Sequence, residues 1–584
     1  MSLYLPVVDS ASSVLADPLA EAAGPPAGMV AFRAADLQVR PGRLSAGRQG
    51  AVLVASAGTA GAAVAAGTMM TFCHPVVTAP AVIKGGAVMA GGWLPDHVRL
   101  GELERHLGEG VIEDLVAAGI AAGRMPAPQR RRLMSLALTI RMTVAMALMP
   151  EASYAGAIRR LAGLLAGAPW AREWHIPTAK VVTGWRGKVP PAVMQELFWL
   201  AAGPLAVDGD DGGGDGPVLV LGGMPVCGID GMLVALADTP ANRAMFGCTG
   251  TRGQQGPGSA PFPQLLAVVV TARAGRATLG AITGKARAGE QTLLARLIRR
   301  RPDLFAGRVF AFDRNFPGHK IITAIVDAGG QVVARAKSDL ALPVTPGWLP
   351  DGSRLSWLNA PSGKPGDRLP VRVAEHNAVL PCGDGQDVSE TCTLITTLLD
   401  HHTVSADQIR GAYQSRWPAS ETTFGEDKTT ITGAGDRTSG PVLRSGTPRL
   451  VIAEFWAWMT ATHLVRASAA ASLATDAAAA RALRRREASG PVTADQLSFT
   501  AARHHAVLTM IQSRVTAGTS LAALAALAED TSRATWHTLV STGRQRHSPR
   551  SQKARPSFPH TAVTKKTVTG VPQVTRFQPE PGPG

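Results

Sequence analysis

Short apolar runs and amphipathic stretches alternate between residues 217 and 337, and this alternation limits the possible folds more than any other feature of the chain. The predicted elements follow the order β-β-β-α-β-α-β, at 218–230, 263–273, 276–284, 289–301, 307–316, 318–329 and 331–337. Strands that precede a regular alternation of helix and strand are typical of a mixed sheet covered by helices. The sequence therefore predicts an α/β fold around this stretch.

The rest of the chain differs in composition from this stretch on both sides. Apolar residues recur at helical spacing before it and again after about residue 449, whereas 339–395 consists of short strand-like pieces between Pro and Gly turns. The predicted division is a poorly ordered Ala/Gly-rich extension at 1–90, an N-terminal helical region at 91–203, a core at 217–338 and 396–440, a β-rich insertion at 339–395, a C-terminal helical region at 441–540 and a basic disordered tail at 541–584.

Basic residues outnumber acidic ones along the chain. There are 59 Lys and Arg against 43 Asp and Glu, a formal net charge of +16 at pH 7. The tail at 541–584 contains eight of the basic residues and one acid, so more than half of the surplus lies in the body of the chain. This balance favours a polyanionic partner, either nucleic acid or an anionic membrane. The arginines at 130–132, 159 and 160 make 91–203 a candidate DNA-contacting region, the alternative being a solvated helix face.

Neither a membrane span nor a cysteine metal site is indicated. Residues 51–73 are uncharged and long enough to cross a bilayer, but Ala, Gly and Thr give them a weak tendency to insert. The five cysteines are widely spread and contain no CxxC pair, which favours reduced thiols in a cytosolic protein over a zinc site. We predict a cytoplasmic protein with no membrane partner. A membrane-associated protein that uses 51–73 stays as a less favoured alternative.

Two carboxylates end predicted strands. Asp230 closes the run at 218–230, and Asp313 follows the short apolar run GRVFAF. Carboxylates at strand ends lie close together when their strands are neighbours in one sheet. For each residue taken alone, a turn residue at the end of a strand is the ordinary alternative.

A third carboxylate lies in the stretch 403–433. Ser405 and Gln408 have the spacing of a capping box, so we predict that a helix starts there. Four functional side chains follow at near-helical spacing, namely Tyr413, Arg416, Glu421 and Lys428. Arg and Lys hold phosphate charge, whereas Glu holds a hard cation. A helix of this kind indicates a site that handles a metal and phosphates together.

Three carboxylates that face one point repel one another unless cations lie between them. Mg²⁺ suits such a site because it binds a few carboxylates and keeps its other positions for water and phosphate. Two such ions activate a water or a 3′-hydroxyl and stabilise the leaving oxygen of an in-line displacement. Together with the basic surplus, this predicts metal-dependent phosphodiester chemistry on nucleic acid.

The motifs IDG (229–231) and FDRNF (312–316), followed by the helix stretch at 403–433, resemble in this order the IS4-family DDE transposases of bacterial insertion sequences. The resemblance covers roughly residues 91–470. It implies a ribonuclease H-like mixed sheet with a β-rich insertion before the Glu helix, flanked by N- and C-terminal helical regions. It also implies that Asp230, Asp313 and Glu421 bind Mg²⁺, with Mn²⁺ as a substitute.

Further expectations about DNA follow from the resemblance. The side chains expected to contact DNA phosphates are Tyr413, Arg416, Lys428, Arg335 and Lys337. The expected partner is double-stranded DNA, both transposon ends and target, bound by a homodimer at the nucleoid.

One departure from the family pattern lies in the helix stretch. The interval from Arg416 to Glu421 is one residue longer than in the family, so on an ideal helix these side chains would be about 140° apart instead of about 40°. A π-bulge absorbs one extra residue, and Pro418 already interrupts the local hydrogen bonding. Because Lys428 keeps its spacing from Glu421, we assign Glu421 rather than Ser420 as the third carboxylate position.

The sequence thus predicts a DNA transposase that cuts the ends of its element and joins the 3′-hydroxyls to target DNA. Two alternatives stay open. One is a catalytically silent, transposase-derived DNA-binding protein, and the other is a metal nuclease of the same fold without strand transfer. His401 and His402, just before the Glu helix, are interpreted as loop residues rather than metal ligands.

Overall fold

The structure, a computed structural model, describes residues 94, 98–108, 110–127, 132–163, 174–203, 220–249, 262–313, 316–337, 340–380, 388–417, 442–475, 497–512 and 573–576. The predicted extension at 1–90 therefore lies outside the described residues.

All described elements before the sheet are helices. They are α1 (Glu102–Arg105), α2 (Val111–Ala121), α3 (Leu136–Leu148), α4 (Tyr154–Ala162), α5 (Ala179–Arg186) and α6 (Pro191–Ala201). Three of these helices begin at a residue whose side-chain oxygen accepts a free backbone N–H of the first turn: Ser135, Ser153 and Thr178.

A buried arginine joins three of the N-terminal helices. Arg141 of α3 is 0% exposed. It donates hydrogen bonds to Glu104 of α1 at 3.1 Å and to Glu113 of α2 at 2.8 Å. A guanidinium can be buried here because two carboxylates meet it with good geometry.

The described strands form one mixed sheet. They are β1 (Val220–Leu221), β2 (Met224–Leu236), β3 (Gln264–Ala272), β4 (Thr278–Lys285), β5 (Val309–Phe312), β6 (Gln331–Arg335), β7 (Arg354–Leu358), β8 (Leu369–Leu380), β9 (Val388–Thr396), β10 (Val442–Leu443) and β11 (Gln573–Arg576). The main path has the order β11-β8-β9-β6-β5-β2-β3-β4, with β1 and β10 paired to β2 and β7 paired to β8. Strands β2, β3 and β4 are antiparallel in turn, whereas β5 is parallel to β2 and β6 is parallel to β5.

The remaining described helices are α7 (Pro240–Phe246), α8 (Glu290–Arg300), α9 (His319–Asp327), α10 (Ala406–Trp417), α11 (Pro448–Thr475) and α12 (Phe499–Gln512). From β2 to β6 the observed elements confirm the predicted order β-β-β-α-β-α-β, apart from α7. That helix lies between β2 and β3 and is too short for an apolar period to reveal it. None of the helices within the described ranges, including the 28-residue α11, has the length and hydropathy of a bilayer span.

The strands of 339–395 extend the sheet. β9 pairs antiparallel with β6, with Ala334 opposite Ile395, and β8 pairs with β9. β11 lies within the tail predicted to be disordered, and it pairs antiparallel with β8. The prediction of disorder is therefore wrong for Gln573–Arg576, because an open strand edge offers backbone groups for pairing.

Different helices cover the two faces of the sheet. On β2, Cys227 and Ile229 belong to a buried apolar cluster with α8 and α9. On the opposite face, Val226 packs with α10, whereas Met232 packs with α11 and the N-terminal helices. Because side chains alternate along a strand, Asp230 lies between Val226 and Met232 on this face. Asp230 therefore marks the boundary between the parts of the sheet covered by α10 and by α11.

Candidate functional site

Asp230 and Asp313 lie side by side on neighbouring parallel strands. In the register of β2 and β5, Ile229 is paired with Phe312, and each aspartate is the next residue of its chain segment. Adjacent strands are about 4.8 Å apart, and paired residues of parallel strands point to the same face. The two half-buried aspartates therefore share one face and one level of the sheet.

Asp230 does not end its strand, which differs from the prediction. β2 continues to Leu236 because β3 pairs with it as far as Ala235. On the other edge of β2, β5 stops at Phe312, and β10 joins only at Ala235 and Leu236. Within the described ranges, Asp230 thus lies at the start of a gap in the parallel pairing. Ligands of open α/β sheets bind at the carboxyl ends of strands, which is where Asp313 lies.

Arg335 continues this row across the sheet. β6 pairs with β5 so that Ala334 lies opposite Phe312, and Arg335 is therefore the neighbour of Asp313. Arg335 is half-buried, and Lys337, just beyond the strand, is exposed. Two carboxylates and one guanidinium thus come from three adjacent strands at one level of the sheet.

The helix predicted within 403–433 begins as its capping box requires. Gln408 Oε1 accepts the backbone N–H of Ser405 at 2.8 Å, and Ser405 Oγ accepts the backbone N–H of Gln408 at 3.3 Å. Both ends of the box are therefore satisfied, which confirms the predicted helix start. α10 packs through Ile409 and Ala412 on the face of the sheet that carries Asp230.

The structure describes two of the four functional residues predicted for this helix, at least in part. Tyr413 is half-buried and packs against the apolar cluster beneath α10. The backbone of Arg416 lies in the last turn of α10. Glu421 and Lys428 lie outside the described residues.

Another carboxylate, which the sequence patterns did not single out, lies against β2 from the other face. Glu290 is the first residue of α8, and its side chain lies over Gly231. A Cβ atom built on Gly231 would lie 2.7 Å from Cγ of Glu290 and closer still to its carboxylate. The sequence signals were the glycine of the IDG motif and an acid in the first turn of an amphipathic helix. Neither signal alone indicates that the two residues touch.

The pKa of Glu290 is raised above its ordinary value. Burial is the largest cause, and the negative charges of Asp230 and Asp313 act in the same direction. The first turn of a helix ordinarily favours a carboxylate, so burial and like charges outweigh the helix dipole here. Carboxylates from β2, from the end of β5 and from α8 are therefore electrostatically coupled.

Residues 97–199 match the family model described as insertion element 4 transposase N-terminal. The N-terminal part of the chain is therefore similar to the N-terminal region of IS4 transposases. The match covers the N-terminal helices and ends before the sheet begins. The comparison with curated proteins finds no match.

Among solved structures, the chain is similar to a cryo-EM structure of the piggyBac transposase synaptic complex with hairpin DNA. The similarity covers 74% of this chain and 84% of that one, at 7% sequence identity and a TM-score of 0.32. A likeness of this extent carries no argument about the fold or the chemistry.

One other group of possible metal ligands precedes α10. Ligand atoms of Asp400, His401 and His402 lie within 4.8 Å of one another, and no other such group of three occurs in the described part of the chain. Asp400 accepts the backbone N–H of His402 at 2.9 Å and the hydroxyl of Thr403, so its carboxylate closes the turn before the helix. These bonds agree with the interpretation of both histidines as loop residues.

Proposed function

We propose that this protein is an IS4-family DDE transposase. It would cut the ends of its element in double-stranded DNA and join the 3′-hydroxyls to target DNA by metal-dependent phosphodiester transfer. The observation that carries the proposal is the strand register that sets Asp230 beside Asp313 on one face of the sheet. Adjacent carboxylates at the carboxyl end of a parallel strand are suited to bind a hard divalent cation.

The strand order supports a ribonuclease H-like core for this enzyme. The central strands follow the order β4-β3-β2-β5-β6, and β5 and β6 run parallel to β2. Helices α8 and α9 follow β4 and β5 in the chain, in the β-β-β-α-β-α-β order expected from the resemblance. The strand-rich insertion, β7 to β9, directly precedes α10, the helix that leads to Glu421.

Glu421 would complete the catalytic set with Asp230 and Asp313. It follows four positions after Trp417, the last residue of α10. The described elements before and after the segment that contains Glu421 are α10 and β10, and both contact β2. This placement supports a third carboxylate delivered to β2 from the α10 face.

The residues present fit Mg²⁺, with Mn²⁺ as a substitute. Their donors are carboxylate oxygens, which such cations prefer. The pKa of Glu290 is raised first by burial and then by the negative charges of Asp230 and Asp313. When bound, the metal would polarise the scissile phosphate and lower the pKa of the attacking water. Asp230 and Asp313 would hold it. The backbone N–H of Gly231 donates to Asp230 Oδ1 at 2.8 Å and so orients that carboxylate.

Five polar and basic side chains are proposed to bind the DNA backbone. Contacts with phosphates position a duplex without reading its sequence. The proposed set is Arg335, which neighbours Asp313, the exposed Lys337, and Tyr413, Arg416 and Lys428. Exposed arginines of the N-terminal region, Arg132 and Arg159, would add a second DNA-contacting surface. The proposed active form is a homodimer on paired transposon ends at the nucleoid.

A combined cleavage and strand-transfer assay tests the proposal. The substrate is a duplex that carries the DNA flanking this gene on both sides, in Mg²⁺ or Mn²⁺. We expect wild type to cut and join, and Asp313→Asn and Glu421→Gln to lose at least about 100-fold in rate, because removing a metal ligand should cost no less than removing its supporting partner. Asp327→Asn is the matched control, since Asp327 is an exposed carboxylate at the end of α9.

The other outcomes identify the alternatives. Cutting without joining would identify a metal nuclease of the same fold. DNA binding by a wild type that never cuts would identify a catalytically silent DNA-binding protein. Cutting by Asp313→Asn at the wild-type rate would overturn the assignment of the site.

A further inference from the structure

Glu290 occupies an unusual place for the first residue of a helix. A carboxylate there ordinarily faces solvent, where the free N–H groups of the first turn stabilise it. Glu290 is instead half-buried, with its side chain laid across β2 at Gly231. A role in starting α8 therefore does not account for its position.

The contact with Glu290 favours glycine at position 231. It is not among the described glycines with positive φ, so the backbone at 231 does not itself require glycine. A Cβ there would lie 2.7 Å from Cγ of Glu290, below the 3.0 Å that real Cβ contacts keep, so any other residue would displace the Glu290 side chain. Glycine within a strand often marks such a close approach. The glycine thus provides the space in which the Glu290 carboxylate reaches β2 beside Asp230.

The charges around Glu290 do not explain its approach as an ion pair. Among the described residues, the charges that act on it are those of Asp230 and Asp313, and both are negative. Like charges at this range oppose the arrangement. A hard divalent cation between the carboxylates would reverse the sign of the interaction, because several carboxylate oxygens can share such an ion.

We propose that Glu290 is a fourth carboxylate of the divalent-metal site, reaching Asp230 and Asp313 from the face of the sheet opposite α10. The inference rests on the proposed function, in which those two aspartates are metal ligands. The ion is a hard divalent cation of the Mg²⁺ or Mn²⁺ class.

This arrangement changes the part expected of Glu421. Asp230, Asp313 and Glu290 come from the sheet and α8, and none of them belongs to the helix stretch 403–433 that carries the extra residue. Binding of the metal is therefore expected to persist in Glu421→Gln, although DNA cutting is not. Metal affinity and cleavage would then depend on different sets of carboxylates.

Mn²⁺ binding to the full-length protein without DNA tests the inference, with free Mn²⁺ measured by electron paramagnetic resonance. We expect Glu290→Gln and Asp313→Asn each to weaken Mn²⁺ affinity by at least about tenfold. Asp114→Asn is the matched control. Asp114 is an exposed carboxylate in the first turn of α2, so its loss reproduces the change at a helix start without touching the sheet.

Two further variants separate metal binding from helix stability. Glu290→Asp keeps a negative charge at the start of α8 but shortens its reach, so a helix-start role predicts wild-type Mn²⁺ affinity and a ligand role predicts a loss. Gly231→Ala keeps every carboxylate but displaces Glu290, and it is expected to weaken Mn²⁺ binding as well. Circular dichroism shows whether each variant is folded.

The outcomes distinguish this inference from the proposed function. Wild-type Mn²⁺ affinity in folded Glu290→Gln would overturn the inference, and a simultaneous loss in Asp313→Asn would leave the proposed function standing. A wild type that binds no Mn²⁺, or whose affinity Asp313→Asn leaves unchanged, would overturn both. If Glu290→Gln does not fold, wild-type affinity in Glu290→Asp and Gly231→Ala would overturn the inference.

Discussion

Two regions of the molecule bring carboxylates together in opposite ways. Among the N-terminal helices, Glu104 and Glu113 surround the buried guanidinium of Arg141. At the sheet, Glu290 lies beside two like charges. Burial raises the pKa of Glu113, but the hydrogen bond and charge of Arg141 outweigh it, so that pKa is lowered overall. The pKa of Glu290 is raised, because burial and its neighbours act in the same direction.

The difference separates a structural contact from a candidate site. A buried cation held between two carboxylates is an internal ion pair of the fold. A carboxylate held against like charges lowers stability until a cation arrives, and proteins keep such arrangements mainly where a ligand offsets them. The opposite pKa shifts of Glu113 and Glu290 therefore indicate different roles for the two carboxylates. Three experiments on stability test this difference.

Removal of the buried cation is expected to have the largest effect. Arg141→Ala removes the buried partner of Glu104 and Glu113 and leaves them only the more exposed Arg99. We expect a loss of up to about 3–5 kcal/mol in the free energy of unfolding. Glu290→Gln removes a like charge and is not expected to lower stability in metal-free buffer. Denaturant unfolding of the two variants beside wild type measures both effects. Equal destabilisation by the two substitutions would contradict the difference between the Arg141 ion pair and the carboxylates at the sheet.

Addition of a divalent cation is expected to act on one region alone. Mg²⁺ at about 100 times its dissociation constant should stabilise the folded wild type by about 2.7 kcal/mol, because it binds the folded site and not the unfolded chain. The rise in Tm should shrink in Glu290→Gln and stay complete in Glu113→Gln, whose substitution lies among the N-terminal helices. Thermal unfolding with Mg²⁺ and then with a chelator measures the shift. If Mg²⁺ does not change the Tm of wild type, the sheet carboxylates do not form a metal site.

Acidification is expected to give the smallest effect, through Glu113. The folded-state pKa of Glu113 is lowered from its ordinary value of 4.5, so its contribution to stability is present above pH 4.5 and is lost as the pH falls through the lowered value. Glu113→Gln should therefore lose less stability than wild type below pH 4.5. The difference stays small because the carboxylate is partly exposed. Thermal midpoints of both proteins across this pH range measure it, and parallel curves would contradict the assigned sign.

Local patterns accounted for much of the fold and for part of the candidate site. Apolar runs predicted the strands and helices from β2 to β6, and the spacing of Ser405 and Gln408 predicted the start of α10. α7 escaped detection because a helix of seven residues shows no repeated apolar period. The length of β2 beyond Asp230 was also missed, because it depends on pairing with β3, a partner distant in the sequence.

By itself, the sequence determined which segments become strands and helices, where α10 begins and which acids close apolar runs. These properties follow from the order of neighbouring residues, through side-chain periodicity and capping. Only the tertiary structure decided that Asp230 lies next to Asp313 and that Glu290 crosses β2 at Gly231. Strand register and helix packing depend on contacts between distant segments, and a shift of one residue would turn either aspartate to the other face of the sheet.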